Sequence, residues 1–149
     1  MRKDTTDNSA VIEDILNRAE VLWLALADAD GPYCVPVNFA AAGNVIYIHS
    51  GLKGRKADCL ESGAPLAFST AVDVRRRAGG DDACDQGYHF RSVMGRGAPR
   101  RLAGDELTTG LDAITLKHLG RMLPYKEKVL PITAVYAIDI ESVTARVKE

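Results

Sequence analysis

The sequence predicts an α+β domain in which strands dominate and curl into a small barrel. Three observations carry this. Strand-like runs outnumber helical ones, the first three strands are joined by short turns as in an antiparallel meander, and the order runs helix, strand hairpins, helix, strands, helix, strand. No repeat, low-complexity tract or linker interrupts the chain, so residues 1–149 are expected to form a single domain with a real core.

The elements justify themselves in order. Asn8 or Ser9 caps a first helix, in which Val11, Ile12, Ile15, Leu16 and Ala19 share one face and Glu13 and Asp14 suit the early turns. Val21 to Ala27 is an unbroken apolar run of strand length, closed by the turn Asp28-Ala29-Asp30-Gly31-Pro32. Tyr33, Val35, Val37 and Phe39 alternate with Cys34, Pro36, Asn38 and Ala40. That is a second strand, and Pro36 puts it at an edge or bulge because proline donates no ladder hydrogen bond. Ala42-Gly43-Asn44 turns the chain into a third strand from Val45. Pro65 to Val72 and Tyr88 to Ala98 are the fourth and fifth, with Pro99 ending the pairing or marking an edge. Residues 73–87 read as an irregular excursion, and its Arg75-Arg76-Arg77 as a solvated loop, since acids follow at once. Leu107, Leu111, Ile114 and His118 mark a long helix capped by Asp105 and stopped by Gly120. Gly110 inside it costs roughly 1 kcal/mol relative to Ala. Ile132 to Ile140 is the sixth strand.

The most informative stretch is Val45 to Gly63. A β-branched and aromatic strand runs into Ser50-Gly51-Leu52-Lys53-Gly54, and a short helix then opens on Arg55 and Lys56. The first turn of a helix prefers acids, so two cations there make sense if an anion occupies the site. Strand, Gly/Ser turn and cationic helix start suit a phosphate, although no Walker A pattern is present. For an isolated G-x-x-G-R-K, a solvated basic turn is an equally good reading.

Bulk properties exclude several classes. A formal net charge of −1 and a pI near 6.3 argue against a general nucleic-acid binder. No apolar run is long enough to span a bilayer, and no signal-type segment follows the polar N-terminus. Cys34, Cys59 and Cys84 lack metal-ligand spacing, and His49, His89 and His118 are scattered, so no metal is expected. Reduced thiols in a cytoplasm are the simplest account.

Four motifs then occur in order: V-P-V-N-F (Val35 to Phe39), I-Y-I-H-S-x-x-x-G-R-K (Ile46 to Lys56), C-D-x-G-Y-x-F-R-S-V-M-G-R-G (Cys84 to Gly97) and P-Y-x-E-K-V-L-P-x-T-A-V (Pro124 to Val135). With these the chain resembles the nitroimidazole-resistance branch of the pyridoxamine 5′-phosphate oxidase-like split-barrel superfamily, over nearly its whole length. The resemblance implies a six-stranded antiparallel split β-barrel with flanking helices, a homodimer, and a flavin at the dimer interface, FMN in most relatives and FAD as the variant. It implies ring contacts from the backbone of Val35, Pro36, Val37 and Asn38, and further contacts from Ile48, His49 and Ser50. Arg55 and Lys56 would hold the flavin phosphate, and Ser92 would make a polar flavin contact. The segment around Arg75 to Asp81 has no counterpart, and the aromatic that relatives often carry near Gln86 is missing.

His49 is the candidate for chemistry, as a proton donor beside the flavin; its ordinary pKa of roughly 6.5 keeps both forms accessible near neutrality. A His that only hydrogen-bonds backbone or flavin is an equal alternative. His89 and His118 read as structural, Cys84 as a packing residue, Cys34 and Cys59 as core or near-core, and Trp23 and Tyr47 as core aromatics. The expected function is flavin-dependent reduction of nitro-aromatic or similar electron-poor small molecules. The alternative is a non-catalytic flavin- or haem-binding carrier or sensor. A DNA-linked role for Arg75 to Arg77 is disfavoured by the acidic pI.

Overall fold

A computed structural model describes residues 3–149. In chain order the elements are β1 (Thr5–Thr6), α1 (Ser9–Arg18), β2 (Leu22–Asp28), β3 (Gly31–Val37), β4 (Ala40–Ala42), β5 (Val45–Gly51), α2 (Arg55–Glu61), β6 (Leu66–Arg77), β7 (Gly87–Arg101), α3 (Gly104–Leu119) and β8 (Thr133–Lys148). All strand pairs are antiparallel, in the sheet order β3-β2-β6-β7-β8-β5-β4, with β1 added to β8. The edge strands β3 and β4 are joined only by Asn38 and Phe39, and no ladder closes the gap between them. The result is a split barrel.

The period-2 alternation of the strands sorts their side chains between two faces. In β2, Leu22, Leu24 and Leu26 point into the barrel, where they meet Phe39, Ile48, Phe68, Val93 and Tyr136. Each fully buried aliphatic contributes about 1.5–3 kcal/mol. Helix α1 adds Ile12, Ile15 and Leu16 to this core, and the short α2 adds Cys59 and Leu60. Asn8 caps α1 by accepting from the amides of Ala10 and Val11. Helix α3 lies on the outside of β5 and β8, over a second apolar cluster of Leu102, Leu111, Val135 and Ala137. Gly110 has a packing reason there: a Cβ on it would come within 3.0 Å of Val135 Cγ1 and 3.1 Å of Tyr47 Cδ1. The helix-propensity cost is the condition for close approach to the sheet.

Several expectations change. The sheet has eight strands rather than six, because β1 and β4 are only two and three residues long and carry no readable pattern. The Arg75-Arg76-Arg77 segment is not an irregular loop. β6 continues through it, past a bulge after Val72, and pairs Arg75 with His89, Arg76 with Tyr88 and Arg77 with Gly87. Helix α3 starts at Gly104, capped by no side chain, with Asp105 in its first turn. Pro36 lies on edge strand β3, as expected. Pro99 lies where β7 has outrun β6 and pairs only with β8. Trp23 is not a core aromatic but 51% exposed, and Cys34 and Cys84 are exposed as well; Cys59 alone is buried. The outward side chains of β2, β3, β6, β7 and β8, among them Trp23, Ala25, Cys34, Met94 and Thr144, line an apolar hollow of about 510 Å³.

Candidate functional site

The β4–β5 pairing organises the site. Ala40 stands opposite Tyr47, so the residues just before it, Asn38 and Phe39, run beside the end of β5, where Ile48, His49 and Ser50 lie. Ile48 and Ser50 point into the barrel and are buried, leaving His49 on the outer face beneath α3. Val35 is half-buried, Pro36 exposed and Val37 part of the core, so β3 offers ligands mainly its backbone. As an edge strand it carries peptide N–H and C=O groups that no neighbour uses. The Asn38 side-chain amide donates to Glu20 O at 3.1 Å.

His49 sits on the rim of a pocket of about 330 Å³, walled by Leu111 and Ile114 of α3 and by Tyr125, Val129 and Leu130 of the following loop. Its side chain stays accessible to solvent. Partial burial, then the positive charges of Lys56 and His118, push its pKa below the ordinary histidine value. Helix α3 is tied to the β3–β4 junction by two consecutive residues. His118 Nε2 lies 3.0 Å from Phe39 O, and Lys117 Nζ sits 3.5 Å from the centroid of the Phe39 ring while donating to Leu16 O at 2.9 Å. Sequence reading placed His118 as structural, which this contact supports, and missed Lys117, whose signal (a cation on the apolar side of an amphipathic helix) was weak.

Burial lowers the Lys117 pKa from 10.5 to about 8. The unfolded chain therefore binds more protons than the native one between these values. Stability should rise as pH climbs from about 8 to 10.5 and stay flat below 8. Lys117→Met should abolish that rise; urea titrations at pH 7.5 and 10 check it, and an unchanged pH slope in the variant would refute it.

The two cations predicted to hold a phosphate are in different situations. Arg55 is engaged by the β2–β3 turn: its Nε donates to Asp28 Oδ2 at 2.7 Å, its Nη2 to Asp28 Oδ1 at 2.9 Å and to Gly31 O at 3.2 Å, and its guanidinium stacks on Tyr33 at 4.6 Å. Lys56 is half-buried, close enough to His49 to depress its pKa, and has no ion-pair partner among the described residues. Gly54, just before the two cations, has φ +108°, and a Cβ there would meet nothing within 4 Å, so the turn is open as well as left-handed. An uncommitted lysine, an arginine with one free edge and an open glycine turn form a donor set that fits a phosphate. Ser92 is not with them. It pairs with Arg146 of β8, whereas His49 pairs with Val135, and the eleven residue steps from one to the other correspond to roughly 36 Å along the strand. Among the described residues no cluster of His, Cys, Asp and Glu could hold a metal, and no helix is long and apolar enough to cross a membrane.

The sequence profile described as pyridoxamine 5′-phosphate oxidase matches residues 8–147. The chain belongs to the pyridoxamine 5′-phosphate oxidase family. No curated protein matches it. Among solved structures, a candidate 5-nitroimidazole antibiotic resistance protein from Bacteroides thetaiotaomicron superposes with a TM-score of 0.83 at 22% identity, over 96% of this chain and 86% of that one. The FAD and haem binding protein from Mycobacterium smegmatis gives 0.87 at 20% identity, over 99% and 74%. A FAD-binding protein from Mesorhizobium loti gives 0.68 at 19% identity, over 97% of each chain. These likenesses establish the shared split-barrel fold.

Proposed function

We propose that this member of the pyridoxamine 5′-phosphate oxidase family is a flavin-dependent oxidoreductase, active as a homodimer, that reduces nitro-aromatic or similarly electron-poor small molecules. One observation carries the reading: His49, within electrostatic reach of Lys56 and on the strand that runs beside the Asn38–Phe39 junction, rims an apolar pocket of ring size. The structural relatives, two of them FAD-binding proteins and a third a candidate nitroimidazole resistance protein, support it. FMN and FAD share the phosphate that Arg55 and Lys56 would hold; the resemblance favours FMN and the named relatives favour FAD.

When bound, the flavin supplies the hydride. The chain does the rest. The free edge of β3, from Val35 to Asn38, and the backbone of Ile48 to Ser50 orient the ring; Lys56, with Arg55, holds the phosphate end. Leu111, Ile114 and Leu130 keep water from one side of the substrate pocket. His49 gives a proton from a ring nitrogen to the oxygen or nitrogen that gains charge. In this scheme Ser92 belongs to the partner protomer's side of the interface, since its own site lies far away along β8.

An absorbance spectrum of the purified protein and the mass of the released cofactor test the flavin reading. Turnover of nitroimidazoles with NADH or NADPH then tests the activity. Because the pKa of His49 is depressed, the ring is mostly neutral at pH 7, and its proton-donating form grows as pH falls. Turnover should therefore increase towards acid pH. His49→Asn should keep flavin affinity, flatten that profile and lower kcat by about 100-fold. A variant with unchanged kcat and profile reduces His49 to a structural residue. A flavin-loaded protein that fails to turn over with every electron donor tried is a carrier or sensor instead.

A further inference from the structure

We propose that Asp28 and Tyr33 are positioning residues that preorganise Arg55 for an anionic phosphate. This rests on the flavin reading above and concerns the same site. Asp28 ends β2, and its carboxylate is itself fixed, because Oδ1 also accepts from the amide of Asp30 at 2.9 Å across the β2–β3 turn. Against this post the Nε and Nη2 groups of Arg55 dock side by side, Gly31 O takes a further Nη2 proton, and the Tyr33 ring covers one face. Every protein contact is on one edge or one face. Nη1 makes no hydrogen bond among the described residues, so two N–H donors remain on a guanidinium that has already lost its rotational freedom. A flexible arginine would have to be ordered when the ligand arrives; this one is ordered beforehand. The neighbouring charges act consistently. Arg55 holds the Asp28 carboxyl below the usual carboxylate range, so Asp28 stays ionised throughout the neutral range.

Binding of FMN and of riboflavin, which lacks the phosphate, separates positioning from general structural support. Both are followed by quenching of flavin fluorescence, in wild type, Asp28→Asn and Tyr33→Leu. Asp28→Asn sets an amide donor against an arginine donor and should weaken FMN about tenfold, equivalent to ~1.4 kcal/mol, while riboflavin changes by less than about twofold. Tyr33→Leu should weaken FMN about threefold with riboflavin again unchanged. A gain in FMN affinity in Asp28→Asn would overturn the proposal by showing that the carboxylate competes with the phosphate. Equal losses for FMN and riboflavin would overturn it by reducing the cluster to a tie between α2 and the turn, as would the absence of any change. A wild type that binds FMN through Lys56 alone, with Arg55→Ala silent, refutes this inference and spares the flavin reading. A wild type that binds no flavin refutes both.

Discussion

Lys56→Ala should lower flavin affinity by one to two decades without unfolding the protein. Lys56 has no carboxylate partner among the described residues, so its charge is available to a ligand in a way that of Arg55 is not. A charge-assisted hydrogen bond to phosphate is worth about 1.5–3 kcal/mol, and each 1.4 kcal/mol is a decade in Kd. The residue is half-buried at the start of α2, outside the apolar clusters, so its truncation removes little packing. Arg55→Ala is a less clean experiment. It strips Asp28 of its partner, so a loss of affinity there mixes the ligand contact with the broken ion pair to the β2–β3 turn. The expected signature of Lys56→Ala is a large rise in Kd for FMN and FAD, little change for riboflavin, and an unaltered denaturation midpoint. A Kd for FMN within about twofold of wild type contradicts the phosphate role.

The six long strands and three helices were legible because each has a strong period or a strong stop: Leu22, Leu24 and Leu26 on one face of β2, Asn8 before α1, Gly120 in the left-handed conformation after α3. The short strands β1 and β4 were not, since two or three residues cannot show a period; β4 exists because Ala40 finds Tyr47 across the sheet. The Arg75 hairpin was misread because its strand is solvated on both faces and charged residues give no alternation. At the site, the cations and His49 were readable from local pattern. The bond from Arg55 to Asp28 joins residues 27 apart, and that from Lys117 to Leu16 residues 101 apart. Neither leaves a local trace. Trp23 shows the remaining ambiguity: within an apolar run, composition does not reveal that alternate side chains face outward.

Met94→Asp should convert the protein from dimer to monomer and take the flavin with it. Met94 is 64% exposed in the single chain, midway across β7 between Ser69 of β6 and Thr144 of β8, on the wall of the apolar hollow that also holds Trp23 and Cys34. An exposed Trp and Met on one sheet face are a surface that a soluble chain usually covers, and a twofold interface covers it with the same face of a second copy. Cys34 belongs to β3, so this face is continuous with the strand proposed to orient the flavin. In a twofold interface the substitution enters twice. Each unpaired carboxylate costs several kcal/mol to bury, so the dimer constant should fall by three decades or more, at about 1.4 kcal/mol per decade. The monomer itself should remain folded, because Met94 lies outside the buried core and its replacement opens no cavity there. Sedimentation equilibrium at micromolar concentration should give a dimer for wild type and a 16.1 kDa species for the variant. The variant should also be colourless, since in the proposed dimer the second copy's face would no longer complete the site. A wild type that is monomeric with flavin bound, or a Met94→Asp monomer that keeps it, would show that one chain binds the cofactor alone.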